Sequence, residues 1–240
     1  VSLLEVRGLA KRFGGLQALR DLSFSVDAGE TVGLIGPNGA GKTTVFALVS
    51  GFLEPDAGDI RFRGRSIRGL APHAVNALGL ARTFQIMRPF PRLSVVRNVT
   101  IGALRRHPDP PRAEARAHAV LAEVGLAARA AVPAGALTLA ERKRLELARA
   151  LATEPVLLLL DEVMSGLNAS ETERIVELVR AIHARGIAIL LIEHVMRAVM
   201  SLASRLVVLD HGERIAEGPP DVVAADRRVI EAYLGTEPGA

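Results

Sequence analysis

The 240-residue sequence contains no cysteine and no tryptophan. Without cysteine there can be no disulfide framework, thiolate metal site or thiol nucleophile. Aromatic residues make up only 3% of the chain, too few for the stacking platforms that hold single-stranded nucleic acids. A bias of charge is missing as well. The 30 basic and 26 acidic residues leave a net +4 with no long block of either sign, which argues against a nucleic-acid partner. Lysine is scarce among the basic residues, occurring only at positions 11, 42 and 143. Hydrophobic residues reach 49%, yet apolar stretches such as Val156 to Leu160 and Ile187 to Ile192 fall far short of the roughly 18 residues a spanning helix needs. No membrane-spanning segment is therefore expected. The opening Val1-Ser2-Leu3-Leu4-Glu5 shows neither a basic region followed by an apolar run nor a small-residue cleavage site, so no secretory leader is expected and a cytosolic setting fits.

What is present is an alternation of strands and helical stretches in a chain long enough to bury one large core. Strands are predicted at Leu4 to Arg7, Leu22 to Val26, Thr31 to Ile35, Ile60 to Phe62, Val156 to Leu160, Ile187 to Ile192 and Arg205 to Leu209. Several are near-continuous apolar runs, as in a parallel sheet covered on both faces. Between Phe84 and Leu151 prolines punctuate the chain, and Arg112 to Val124 reads as an Ala/Arg/Glu helix. This predicts a mainly helical subdomain inserted into an α/β core. Thr236 to Ala240 reads as a frayed tail.

The segment Gly36-Pro37-Asn38-Gly39-Ala40-Gly41-Lys42-Thr43 follows the strand Thr31 to Ile35 and precedes a helical stretch, Thr44 to Ser50. Glycines at this spacing let backbone amides converge on phosphate oxygens while the helix N-terminus adds partial positive charge. Lys42 then reaches the β- and γ-phosphates and the Thr43 hydroxyl is offered to Mg2+. A second signal is the apolar run Leu157 to Leu160 that delivers Asp161 and Glu162 to a strand end, where ligands of open α/β sheets bind. Asp161 suits a magnesium ligand acting through water, and Glu162 a base for an attacking water. Alone, such an Asp-Glu pair is commonplace; beside a phosphate loop it is not.

The order of these segments, with Gln85 in ARTFQ, LTLAERKRLELARAL at Leu137 to Leu151, SGLN at Ser165 to Asn168 and His194 in LIEH, resembles the nucleotide-binding subunits of ABC transporters over nearly the whole chain. More narrowly, KRFGGLQAL, LARTFQ, DEVMSGLN and the ending GERIAEGPPDVV to EAYLG resemble ATPases of importers for branched-chain and other hydrophobic amino acids. The resemblance implies a P-loop NTPase core with a mainly parallel sheet, an N-terminal antiparallel β portion and an inserted helical subdomain. Residues 1–85 and 152–240 would form the α/β core and 86–151 the helical subdomain. It further implies Mg2+ and ATP bound by Gly36 to Thr44. Phe13 would stack on adenine, Gln85 would sense the γ-phosphate through magnesium or water, and His194 would contact the γ-phosphate. Thr138 would meet the nucleotide of a second ATPase subunit, either a copy or a paralogue. Membrane-spanning permease subunits would dock near Ile86 to Val96, around Arg88 and Phe90, and a separate substrate-binding protein would deliver the cargo. The chain would sit peripherally on the cytoplasmic face of the inner membrane, with no nucleic acid involved. Relatives serving urea or lipopolysaccharide, soluble ABC ATPases acting on DNA or ribosomes, and a nucleotide-binding module that does not hydrolyse remain alternatives; Glu162 argues against the last.

Two departures from the family pattern stand out. The usual L-S-G-G-Q signature reads Leu137-Thr138-Leu139-Ala140-Glu141, and the loop after Glu162 ends in Asn168 where Asp is usual. Either would weaken contact between two subunits. Thr138 and Glu141 have capping-box spacing, as do Ser170 and Glu173, so each pair is expected to open a helix. Arg61, Arg63, Arg65 and Arg68 read as one solvated face. His73, His107, His118, His183 and His211 match no motif and are expected at the surface.

Overall fold

The computed structural model describes residues 2–85 and 89–234; the predicted tail from Thr236 lies outside them. Two long strands, β1 (Ser2–Phe13) and β2 (Leu16–Asp27), join through Gly14 and Gly15 and pair antiparallel from Phe13 opposite Leu16 to Ser2 opposite Asp27. With β4 (Ala57–Phe62) and β5 (Arg65–Ser66) they form a sheet of order β2-β1-β4-β5. The sequence located only part of each of the first two strands, Leu4 to Arg7 and Leu22 to Val26. Backbone pairing carries them on through polar residues, because a ladder ends where its hydrogen bonds end and not where hydrophobicity does.

The second sheet is the scaffold of the site. Strands β3 (Thr31–Ile35), β6 (Leu80–Arg82), β7 (Leu157–Asp161), β8 (Ala188–Ile192) and β9 (Arg205–Asp210) run parallel, and β10 (Glu213–Gly218) closes one edge antiparallel, in the order β10-β9-β3-β8-β7-β6. Successive side chains alternate between two cores. Val32, Leu34, Leu157, Leu159, Leu190, Ile192, Val207 and Leu209 pack with the antiparallel sheet. Leu158, Leu160, Ile189, Leu191, Leu206 and Val208 pack with the helices on the other side. Each fully buried side chain of this kind contributes about 1.5–3 kcal/mol, so the sheet is a rigid base for the loops at its C-terminal edge. The strands β5, β6 and β10 escaped the sequence reading. The first two are two and three residues long, and β10 buries Ala216 alone.

Helices α1 (Lys42–Val49) and α2 (Pro72–Ala77) precede β6. Between β6 and β7 lie α3 (Val95–Ala103), α4 (Pro110–Glu123), α5 (Leu139–Leu151) and two short 3-10 turns. The α4 helix starts earlier than predicted because Pro110 and Pro111 occupy its first turn, where a fixed φ and a missing N–H cost nothing. Val99, Val120, Leu121 and Leu145 from these helices share one apolar cluster with Leu158 and Leu160 of the parallel sheet. After β7 come α6 (Ala169–His183), α7 (Met196–Leu202), α8 (Pro220–Ala224) and α9 (Arg227–Leu234).

Two local readings are corrected. The capping box of α6 is Asn168 with Glu171, two residues earlier than Ser170 with Glu173: Asn168 Oδ1 accepts the Glu171 N–H at 2.9 Å and Glu171 Oε2 accepts the Asn168 N–H at 3.0 Å. Ser170 instead donates to Asn168 Oδ1. His183, expected at the surface, is half-buried with Nδ1 3.2 Å from the Thr31 hydroxyl. The capping box of α5, Thr138 with Glu141, forms as the spacing requires.

Candidate functional site

The phosphate loop leaves β3 through Gly36 and enters α1 through Gly41. Both have positive φ, 148° and 103°. A Cβ on Gly36 would fall 2.0 Å from the Leu209 carbonyl oxygen, and one on Gly41 would fall 2.7 Å from that of Ala18, so glycine alone lets the loop press against its neighbours. No side chain caps α1 at Gly41, which leaves its first-turn amides for an anion. Lys42 Nζ donates to the carbonyls of Gly36 (2.7 Å) and Pro37 (2.9 Å). Burial lowers its pKa, partly offset by attraction to Glu162.

The loop floors a cleft of about 630 Å³ lined by Phe13, residues 38–44, Gln85, Glu162 and His194, with His211 at its rim. Phe13 is exposed there, with Lys11 Nζ 5.8 Å above its ring centroid. Glu162 stands at the end of β7 with φ +50°. Its carboxylate accepts from Gln85 Nε2 at 2.8 Å, and His194 Nε2 lies 2.7 Å from the other oxygen; a carboxylate only accepts, so this imidazole nitrogen carries the hydrogen. Three residues read separately from the sequence therefore meet at one carboxyl group. Asp161 lines an adjoining cleft of about 380 Å³ that shares Thr43 and Gln85. Pro37 faces a third cavity, beside Asp210 and Arg228. Thr138 lines none of these clefts.

Several residues at the site lie inside the quoted motifs but had no role assigned from the sequence. Arg82 Nη2 donates to Asp161 Oδ2 at 2.7 Å, both side chains being almost fully buried. The Arg82 guanidinium lies 5.6 Å from the Phe46 ring centroid and 5.2 Å from that of Phe84. Beneath Glu162, Lys143 and Glu193 are buried together. Burial raises the Glu193 carboxyl to about 7 despite the Met164 and His194 amides and Lys143, and burial lowers the Lys143 pKa. The sequence signal that existed was a charge amid apolar residues in LIEH and a rare lysine in an arginine-rich chain. Because the folded pKa of Glu193 lies above its unfolded value near 4.5, the residue disfavours folding progressively as pH rises from about 5 to 8. Glu193→Gln is expected to gain stability relative to the parent over that range by up to about 3 kcal/mol, read by urea unfolding at pH 5 and pH 8. A pH-independent difference would overturn the assignment.

At the altered signature, Glu141 folds back onto the N-cap of α5 and is tied there. Its carboxylate accepts the Thr138 N–H at 2.9 Å and pairs with Arg129 at 2.9 Å. These contacts, the Thr138 amide first, lower its pKa. Leu139 is exposed, and a Cβ on Gly166 would lie 3.1 Å from it. At the expected docking segment, Ile86, Met87 and Arg88 lie outside the described residues. Phe90 is exposed, with its backbone N–H and carbonyl both bound by Asn98 and Arg149 5.8 Å above its ring centroid.

A donor set for Mg2+ can be tested on these side chains. No cluster of three or more His, Cys, Asp or Glu among the described residues could hold a metal unaided. Thr43 and Asp161 share a cleft beside the phosphate loop, which fits a cation whose remaining oxygens come from phosphate and water.

Comparison with known proteins bears on this arrangement. A family model described as ABC transporter matches residues 19–165, and one described as branched-chain amino acid ATP-binding cassette transporter matches residues 213–238. The chain is 39% identical to the high-affinity branched-chain amino acid transport ATP-binding protein BraF of Pseudomonas aeruginosa, across 97% of this chain and 98% of that one. It is 38% identical to LivG of Escherichia coli, a protein of the same description, with the same coverage. A crystal structure of a nucleotide-free ATP-binding cassette from an ABC transporter superposes with a TM-score of 0.90 at 30% identity, over 98% of this chain and all of that one. A cassette in its ADP conformation gives 0.89, also at 30% identity.

Proposed function

Since the chain belongs to the ABC transporter ATP-binding family, whose members are ATPase subunits, we propose that it powers an importer for branched-chain or other hydrophobic amino acids. The observation that carries the hydrolytic part is the convergence of Gln85 and His194 on the Glu162 carboxylate at the mouth of the phosphate loop. The C-terminal match over residues 213–238 and the two amino-acid transport relatives support the cargo class.

In this reading residues 36–44 wrap the phosphates of ATP, Lys42 leaves the loop carbonyls for the β- and γ-phosphate oxygens, and Phe13 stacks on the base. Thr43 and Asp161, with Gln85, would hold Mg2+, which when bound neutralises charge developing on the phosphates. Glu162 takes the proton of the attacking water. Gln85 and His194 orient that carboxylate and, each having a donor to spare or to redirect, reach toward the γ-phosphate. Residues 86–151 act as the helical subdomain. Phe90, exposed there, meets a permease that supplies the path through the membrane; no helix among the described residues is long and apolar enough to cross one. The chain then works at the cytoplasmic face of the membrane beside a second ATPase subunit and a separate substrate-binding protein. The test is to reconstitute the chain with its co-purified membrane subunits in liposomes. ATP-dependent uptake of leucine is expected; uptake of lipopolysaccharide or urea in its place would overturn the cargo assignment.

Two such chains would close with Thr138 of each facing the nucleotide of the other. The Arg129 pair and the cap remove Glu141 as a source of repulsion, leaving the Cβ atoms of Leu139 and Ala140 as the obstacle to close approach. The double change Leu139→Gly and Ala140→Gly, made in Glu162→Gln, is therefore expected to tighten ATP-dependent dimerisation severalfold, as measured by sedimentation. An unchanged dimer affinity would mean that the altered signature closes as well as a glycine-bearing one.

A further inference from the structure

Two of the three lysines are buried, and both aim an ammonium at main-chain carbonyls of the site. Lys42 belongs to the phosphate loop. Lys143, on the second turn of α5, does not: its Nζ donates to the carbonyl oxygen of Glu162 at 2.7 Å. Glu162 is a side-chain-bearing residue in the left-handed region, a conformation that persists only where its surroundings impose it. The Glu162 N–H donates to the Ile192 carbonyl at 2.9 Å. Both backbone groups are thus held by other elements, one by the end of β8 and the other by α5. The strongest attraction on Lys143 comes from Glu193, which precedes His194 and accepts the Met164 N–H at 2.8 Å. One buried cation therefore ties α5 to the turn that carries Glu162 and is attracted by the residue next to His194.

We propose that Lys143 is a positioning residue for hydrolysis, fixing the left-handed turn at Glu162 so that its carboxylate stays between Gln85 and His194. It makes no hydrogen bond to the reacting carboxyl and works through the main chain, where a charge-assisted bond in a buried setting is stronger than a neutral one. The proposal rests on Glu162 being the base.

The test compares the parent chain with Lys143→Met, Lys143→Arg, Glu162→Gln and Arg144→Met, measuring kcat, KM for MgATP and the Kd of a fluorescent ATP analogue. Lys143→Met is expected to lower kcat at least tenfold with KM and Kd within twofold. Lys143→Arg should restore kcat to within a few-fold of the parent. Arg144→Met, which removes a surface cation of the same helix that donates to the Gly125 carbonyl, should leave kcat unchanged. If Lys143→Met turns over normally while Glu162→Gln is inactive, the positioning role is wrong and the base assignment stands. If Glu162→Gln itself turns over normally, the base assignment fails first. Parallel loss of binding and turnover in Lys143→Met, or failure of Lys143→Arg to rescue, would reduce Lys143 to a packing residue and overturn the proposal. Should Lys143→Met not fold, Lys143→Gln is read by the same criteria.

Discussion

Glu162→Gln is expected to lower kcat for ATP hydrolysis by about 10²–10⁴-fold, the range that a general base contributes, while ATP binding persists. An amide cannot take a proton from water at neutral pH. It can still satisfy its neighbours, since the side-chain oxygen accepts from Gln85 or His194 much as the carboxylate does. The groups that would hold the phosphates, the loop amides and Lys42, are untouched. Removing a negative charge that attracts Lys42 also frees that ammonium for the nucleotide, so the Kd for ATP should stay the same or tighten. Single-turnover hydrolysis alongside equilibrium binding separates the two effects. Equal turnover in parent and variant would exclude Glu162 as the base.

The largest loss of stability is expected from Arg82→Ala. Asp161 is 2% exposed, and its side-chain partner is the Arg82 guanidinium at 2.7 Å. Removing one partner of such a pair leaves the other charge buried without compensation, typically at a cost of about 3–5 kcal/mol. Lost packing of the guanidinium against Phe46 and Phe84 adds to this. In a chain of this size the melting temperature should fall by roughly 10 °C. Arg63→Ala, at an exposed turn position, should change little. The double variant Arg82→Ala with Asp161→Asn should recover part of the loss, because the stranded charge has gone. Arg82→Lys is expected to fall between, since an ammonium keeps the charge without the planar fork that reaches Ser50 and Asp161 together. A loss below 1 kcal/mol for Arg82→Ala, measured by chemical denaturation, would mean that water or a rearranged side chain serves Asp161 equally well.

The phosphate loop was legible in the sequence because its chemistry is contiguous. Eight residues in a row supply the glycines, the lysine and the hydroxyl, and the flanking apolar strand fixes where the loop must emerge. Asp161 and Glu162 were legible for a related reason, since the apolar run before them delivers the pair to a strand end. The Thr138 cap was readable from four residues. For α6 the spacing read from the sequence was Ser170 with Glu173, and the backbone geometry places the cap at Asn168 with Glu171.

Tertiary structure decided the rest, for the reason that separation along the chain carries no geometric information once a parallel sheet brings distant strand ends together. Adjacent strands β7 and β8 set Glu162 beside His194, and the segment after β6 brings in Gln85 from 77 residues away. Arg82 looked like any other arginine until the pairing of β6 with β7 set it against Asp161. Lys143 and Glu193 had no role assigned from the sequence; the fold buries both and turns the lysine toward the Glu162 carbonyl. The sequence by itself determined which groups could handle a phosphate, because those groups are neighbours in the chain. Only the fold decided which carboxylate is gripped and from which sides, because burial and long-range hydrogen bonds belong to the packed chain and not to any segment of it.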